Sequence, residues 1–247
     1  MEKLYTELAE VYEAMYRTFM DYDAEFACYG ALLEKYGSRK VLEIGCGAGN
    51  LAERLLAHGF EYTGMDISPD MLAIARRQLP PCPLVEGDMR NFNLSESFQG
   101  ALIVGRSLSY LLTNKDVRDT FDAVYRVLAP GGLFIFDVID AHLFIPGIDP
   151  ANILRHEATH EGRRYVRDSV FEVNAQNGWT WDWTADYYEE APSGGRRHLA
   201  HDKTTLRTFT GEETEIFLAL SGFEVLERFP KRAYAFDTWV FVARKPI

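Results

Sequence analysis

Three carboxylates carry the first chemical signal in this chain. Glu43 stands just before a glycine-rich turn, Gly45-Cys46-Gly47-Ala48-Gly49, whose spacing is GxGxG. Asp66 closes a second strand, Glu61-Tyr62-Thr63-Gly64-Met65, and Asp88 follows a third, Leu84-Val85-Glu86, within Gly87-Asp88-Met89. Glycines at such a turn let the backbone bend sharply and come close to a ligand. The GxGxxG spacing of dinucleotide folds is not present here, and a carboxylate at Glu43 repels a pyrophosphate while attracting an ammonium. Asp66 is placed to accept hydrogen bonds from ribose hydroxyls. Asp88 and Met89 offer a carboxylate and an apolar side chain where an adenine could lie. The three acidic ends fit a ligand with a ribose, an amine and a sulfonium but no phosphate. A glycine turn by itself also serves as a tight packing turn; its acidic neighbours sharpen the reading.

Alternating strands and helices must hold these groups. Lys40 to Ile44 reads as a strand, and Asn50 to Leu56 opens a helix that stops near Gly59. Ser68-Pro69-Asp70 supplies an N-cap with proline at the first helical position, before a helix from Met71 to Leu79. A fourth strand covers Ala101 to Val104. The helix from Asp116 to Leu128 is closed by Ala129-Pro130-Gly131-Gly132, and Leu133 to Val138 is a fifth strand. Near-continuous apolar strands alternating with helices predict a parallel sheet covered on both faces. The period changes between about 150 and 209: Tyr165 to Val173 and Trp179 to Ala185 read as a hairpin around Asn174-Ala175-Gln176-Asn177-Gly178. Pro192-Ser193-Gly194-Gly195 is a second turn and Lys203 to Thr208 a third strand, so an antiparallel sheet is inserted into the α/β core. A helix from Glu212 to Leu220 and strands at Phe223 to Leu226 and Thr238 to Ala243 return to that core. Residues 1–36 read as helical, with Leu4, Leu8, Val11, Met15 and Phe19 at helical spacing. Their many tyrosines either pack or form a lid with rings over a bound ligand.

With these motifs in order, the chain resembles the class I S-adenosylmethionine-dependent methyltransferases. VLEIGCGAGN is similar to their first motif, GMDIS to the second, EGDMRNF to the third, and VLAPGGLFIFDV to the segment leading into the fifth strand. The resemblance covers roughly 37–140 and the C-terminal helix and strands. It implies a doubly wound, Rossmann-like seven-stranded α/β sheet with an inserted antiparallel β-sheet. By the same resemblance Gly45, Gly47 and Gly49 wrap the methionine part, Asp66 and Ile67 hold the ribose, and Asp88 and Met89 the adenine. Glu43, Cys46, Met71 and Gly105 complete the expected cofactor lining, with Tyr12 and Tyr22 over it. One departure is Phe98-Gln99-Gly100, where the family often has a Phe-Asp pair.

The expected division is an N-terminal helical lid (1–36), a cofactor-binding core (37–150 and 208–247), and a β insertion (151–207) that covers the acceptor site or forms a homodimer contact. No Asn-Pro-Pro-Tyr stretch follows the fourth strand, and a net charge of −11 disfavours nucleic acid as a partner. No apolar run reaches membrane-spanning length and no signal-peptide core opens the chain, so a soluble cytoplasmic protein is expected. Cys28, Cys46 and Cys82 form no metal or disulfide pattern, and no metal is expected. GDMRNF, SLSYL and the inserted strands resemble small-molecule N-methyltransferases acting on nucleotide-linked amino sugars. Tyr110 and His142 follow the fourth and fifth strands, where either orients or deprotonates an acceptor amine, or simply packs. His156, His160, His198 and His201 read as surface histidines. Trp179, Trp181 and Trp183 share a strand face that is a core, a dimer contact or an acceptor wall. Two other function classes fit less well: a regulatory protein that binds S-adenosylmethionine without turnover, and an NAD-dependent oxidoreductase.

Overall fold

In a computed structural model the described residues are 5–6, 8–175, 178–191, 194–233 and 236–247. Parallel strands β1 (Lys40–Ile44), β2 (Glu61–Asp66), β3 (Leu84–Glu86), β4 (Phe98–Ile103) and β5 (Leu128–Ile139) are joined through α3 (Asn50–Ala57), α4 (Pro69–Gln78) and α5 (Asn114–Val127). Two further strands, β10 (Glu224–Ala233) and β11 (Phe236–Arg244), complete a seven-stranded sheet of order β10-β11-β5-β4-β1-β2-β3. β11 runs antiparallel to both of its neighbours.

The alternation of β5 explains why both faces are covered. Phe134 and Phe136 pack on Phe121 of α5 in a cluster that includes Phe217 of α7 (Gly211–Leu220), while Leu133 and Ile135 belong to the opposite cluster, with Leu51 and Leu55 of α3. Local caps agree with this layering. The Ser68 hydroxyl accepts from Met71 N–H, and Thr113 and Asp116 form a reciprocal capping box on α5.

The second sheet is antiparallel, its four strands hydrogen-bonded in chain order. It contains β6 (Leu154–His160), β7 (Arg163–Val173), β8 (Thr180–Glu190) and β9 (Arg196–Arg207). The sequence reading missed β6, because the buried side chains in it, His156 and Ala158, are not strongly apolar and alternate with Arg155, Glu157 and Thr159. Gln176, Asn177, Pro192 and Ser193 of the two expected turns, like Leu4, lie outside the described residues. β5 also begins earlier than expected, since Leu128 pairs with Phe98 before the Pro-Gly-Gly stretch.

The N-terminal segment divides in two. α2 (Tyr22–Lys35), capped by Asp21, buries Tyr29, Leu32 and Leu33 against the parallel sheet. α1 (Ala9–Phe19) instead sets Val11 and Met15 on Ala158, Ala185 and Tyr187 of the second sheet. Its Ala9 meets Ala48, Met71 and Ile74 of the core, so α1 bridges the two sheets. Among the described residues no helix is long and apolar enough to cross a membrane.

Candidate active site

The glycine turn is pinned at the carboxyl end of β1. Gly45 and Cys46 both donate to the Met65 carbonyl of β2, at 2.7 and 3.0 Å. Gly47 takes φ +54°, a left-handed conformation that favours glycine, and its N–H donates to Asp66 Oδ2 at 2.7 Å. Ser68 N–H donates to Asp66 Oδ1 at 2.9 Å, so each oxygen keeps acceptor capacity for a further donor. Burial lifts the Asp66 carboxyl above its ordinary value against these backbone bonds. Glu43 is buried and accepts from the Tyr62 hydroxyl at 2.7 Å. Burial pushes its carboxyl up to about 8, with the Tyr62 bond opposing and Asp66 adding. These groups line a cavity of about 430 Å³ at the point where β1 and β4 send their connections to opposite faces of the sheet.

A second buried carboxylate shapes the far side. Asp137 of β5 accepts from the Tyr29 hydroxyl (2.6 Å), Gly105 N–H (3.1 Å) and Arg106 N–H (2.9 Å). This clamp holds Arg106 at φ +71°, uncommon for a residue with a side chain. The Arg106 guanidinium donates to the Tyr16 hydroxyl at 3.2 Å and lies 4.5 Å from the Phe236 ring centroid. Beyond it lies a smaller chamber of about 70 Å³ between α1 and the antiparallel sheet. Tyr5, Tyr12, Tyr16, Gly105, Arg106 and Tyr110 line both spaces, which therefore meet. At that junction the Tyr5 and Tyr110 hydroxyls are 2.6 Å apart.

Deeper in the chamber, Arg167 is 4% exposed, and its Nη2 lies 3.0 Å from His156 Nδ1. Burial, then the Arg167 and Arg106 charges, press the His156 ring down to about 4, which keeps it neutral. Burial raises the Tyr16 phenol, but the two guanidiniums outweigh it and bring it down to about 8.

A methyltransferase-domain family pattern matches residues 41–132. The chain is 35% identical over 233 residues to YqeM of Bacillus subtilis (strain 168), named only as a methyltransferase; the match spans 90% of this chain and 87% of that protein. It is 32% identical over 185 residues to the dTDP-4-amino-2,3,4,6-tetradeoxy-D-glucose N,N-dimethyltransferase of Saccharopolyspora spinosa, covering 75% of this chain and 71% of that one. Among solved structures, SAM-bound CalS10, an amino pentose methyltransferase from Micromonospora echinaspora, superposes with a TM-score of 0.75 at 25% identity over 95% and 96% of the two chains. The chain belongs to the S-adenosylmethionine-dependent methyltransferases.

The larger cavity of this methyltransferase fits such a cofactor on its own geometry. Its volume lies in the range of small-molecule sites, its acidic groups face a ligand that carries cationic and hydroxyl groups, and a Cβ on Gly105 would stand in open space. Most of the expected lining residues do line it: Tyr12, Tyr22, Glu43, Gly45, Cys46, Gly47, Asp66, Ile67, Met71, Asp88, Met89 and Gly105. Asp88 sits at the rim, where Arg90 grips it at 2.5 Å and holds its carboxyl below its ordinary value.

Two expectations are corrected by placement. Gly49 is not in the lining; it turns the chain into α3 at φ +84° and backs onto Leu79. His142 lines neither space, because Asp140 caps the short helix α6 (Ala141–Phe144) and turns His142 out to solvent beside Trp179. Trp179 itself is exposed, whereas Trp181 is buried and lines the chamber with Trp183. His156, read as a surface residue, is buried. The sequence reading also missed Tyr16, Arg106, Asp137 and Arg167 as site residues. The available signal was Arg167-Asp168-Ser169-Val170-Phe171, which sets an arginine on the same strand face as Phe171.

Proposed function

We propose that this methyltransferase moves its methyl group to a small-molecule acceptor, the amine of a nucleotide-linked amino sugar. In this reading the donor fills the larger cavity and the acceptor amine arrives from the chamber. The observation that carries it is the shared lining at Gly105, Arg106 and Tyr110, where donor and acceptor spaces abut. The Saccharopolyspora spinosa relative and CalS10, named for amino-sugar substrates, support the amine.

Bound S-adenosylmethionine supplies an electrophilic methyl on a sulfonium. The chain's own work is alignment and exclusion of water. Glu43 faces the ammonium of the methionine part, Asp66 and Ile67 hold the ribose, and Asp88 and Met89 border the adenine. Gly45, Cys46, Gly47 and Met71 wrap the methionine part. α1 acts as the lid, with Tyr12 over the donor and Tyr22 beside it at the start of α2, and α1 is held down by Glu13 on Asn50 (2.9 Å) and Arg17 on Gln78 (2.6 Å). Residues 151–207 form the acceptor wall. Arg106 and Arg167 disfavour a protonated amine beside them, so the acceptor enters as free base without a dedicated proton acceptor. The Tyr110 hydroxyl, fixed by Tyr5, orients the amine.

Calorimetry with S-adenosylhomocysteine, followed by its release in assays with dTDP-amino sugars and their hydroxyl counterparts, tests the reading. Binding and amine-dependent release are expected. Tight NAD binding with none of S-adenosylhomocysteine overturns the donor assignment, and turnover of hydroxyl acceptors alone overturns the amine.

A further inference from the structure

One other buried cation in this fold is neutralised by a carboxylate. Arg207, also 4% exposed, donates to Asn114 Oδ1 at 2.8 Å and pairs with Glu213. Arg167 is equally buried and is treated differently. Its Nε and Nη1 have no hydrogen-bond partner, and its Nη2 meets only the neutral His156 ring. The Tyr187 hydroxyl faces the same guanidinium without reaching hydrogen-bond geometry. Arg106, lining the same chamber, rests on a phenol and an aromatic ring. Neither guanidinium pairs with a carboxylate among the described residues, and the chamber lining there holds no Asp or Glu. This is pronounced in a chain of net charge −11.

Two more unpartnered buried groups point the same way. Trp181 Nε1 and Ser109 Oγ both belong to chamber-lining residues and both lack a partner. Leaving a buried donor unmet is unfavourable, and more so when it is charged. An acceptor group that answers all of them at once must be an acceptor of hydrogen bonds, negatively charged and compact.

We propose that the chamber is an oxyanion site that takes a carboxylate or phosphate of the methyl acceptor on Arg167, with Arg106, Trp181 and Ser109 around it. The aromatic walls, Phe171, Trp183 and Phe236, then cover the uncharged body of the same molecule. This rests on the methyl-transfer reading, because it takes the chamber to be the acceptor's side of the site. It adds that the acceptor is recognised by its negative charge as well as by its nucleophile.

The test uses two matched probe pairs, benzoate against benzamide and glucose 1-phosphate against glucose, titrated by calorimetry into protein saturated with S-adenosylhomocysteine. At least one anion is expected to bind about tenfold or more tighter than its neutral partner, as charge-assisted bonds require. A benzoate preference assigns a planar carboxylic acid, and a glucose 1-phosphate preference assigns a phosphorylated sugar. Arg167→Met should erase the preference and leave S-adenosylhomocysteine affinity within about twofold, since Arg167 does not line the donor cavity. Should that variant fail to fold, Trp181→Phe keeps the ring and deletes one donor; about a threefold loss on the preferred anion alone is expected. No preference in either pair, or one that survives in Arg167→Met or is untouched in Trp181→Phe, overturns the oxyanion site. Failure of S-adenosylhomocysteine to bind overturns the functional reading instead.

Discussion

On the donor side the carboxylates already have partners: Tyr62 on buried Glu43, the Gly47 and Ser68 amides on half-buried Asp66, three donors on buried Asp137. On the acceptor side the buried donors of Arg167, Trp181 and Ser109 have none. The first region is assembled from turns at the ends of adjacent parallel strands, and its acidic groups are held in place by bonds within the chain. The second is assembled from side chains of α1, the loop after β4, and all four strands of the other sheet, and it keeps hydrogen-bonding capacity unspent. Pre-formed electrostatics suit a donor that is always the same molecule, and unspent hydrogen-bonding capacity suits recognition of a particular acceptor.

The strongest test of this contrast is Trp181→Ala. Trp181 is packed edge-to-face on Phe144 (4.8 Å between centroids) and Phe171 (5.0 Å). Its loss should destabilise the fold by about 3–5 kcal/mol in urea unfolding. S-adenosylhomocysteine affinity of the folded protein should be kept. A loss of donor binding in folded protein would erase the line between the two regions.

Glu43 probes the donor side through pH. Its folded-state value of about 8 lies above the ordinary 4.5, so between those values the folded protein keeps a proton that the unfolded chain has released. Stability should therefore fall as pH rises through that window, with a slope of up to about 1.4 kcal/mol per pH unit, and level off above it. Glu43→Gln, which still accepts from Tyr62, should flatten that fall and weaken cofactor binding. Denaturant melts at pH 5, 7 and 9 decide it; an unchanged slope would mean that Glu43 is already ionised.

A smaller effect is expected from Asp66→Ala, about 1–3 kcal/mol lost in S-adenosylhomocysteine affinity by calorimetry. Unaltered affinity would remove Asp66 from the ribose. The smallest belongs to the boundary itself. Tyr110→Phe should lower turnover about tenfold, below the hundredfold or more typical of losing a general base, and keep the shape of the pH–rate profile. Loss of one limb of that profile would make Tyr110 the base.

The donor region was legible because its signals are local. Glu43 and the GxGxG turn lie within seven residues of one another, and Ser68-Pro69 announces α4 just after Asp66. Strand period, caps and glycine spacing act over a few residues, so the chain's order alone determined the parallel core and the acidic ends that face its crevice. The chamber was not legible, because its members are far apart in sequence and ordinary in type. Tyr16 looked like any helix tyrosine, and Arg106 like any loop arginine. His156 lay in a strand whose alternation was not apolar enough to read. His142, at a strand end that sequence logic favours, was turned away by a cap two residues earlier. Only tertiary packing, which lays α1 across both sheets and lets Asp137 clamp the loop after β4, decided which side chains share the space beside the donor. Burial and unmet hydrogen bonds are properties of that packing, and no spacing along the chain encodes them.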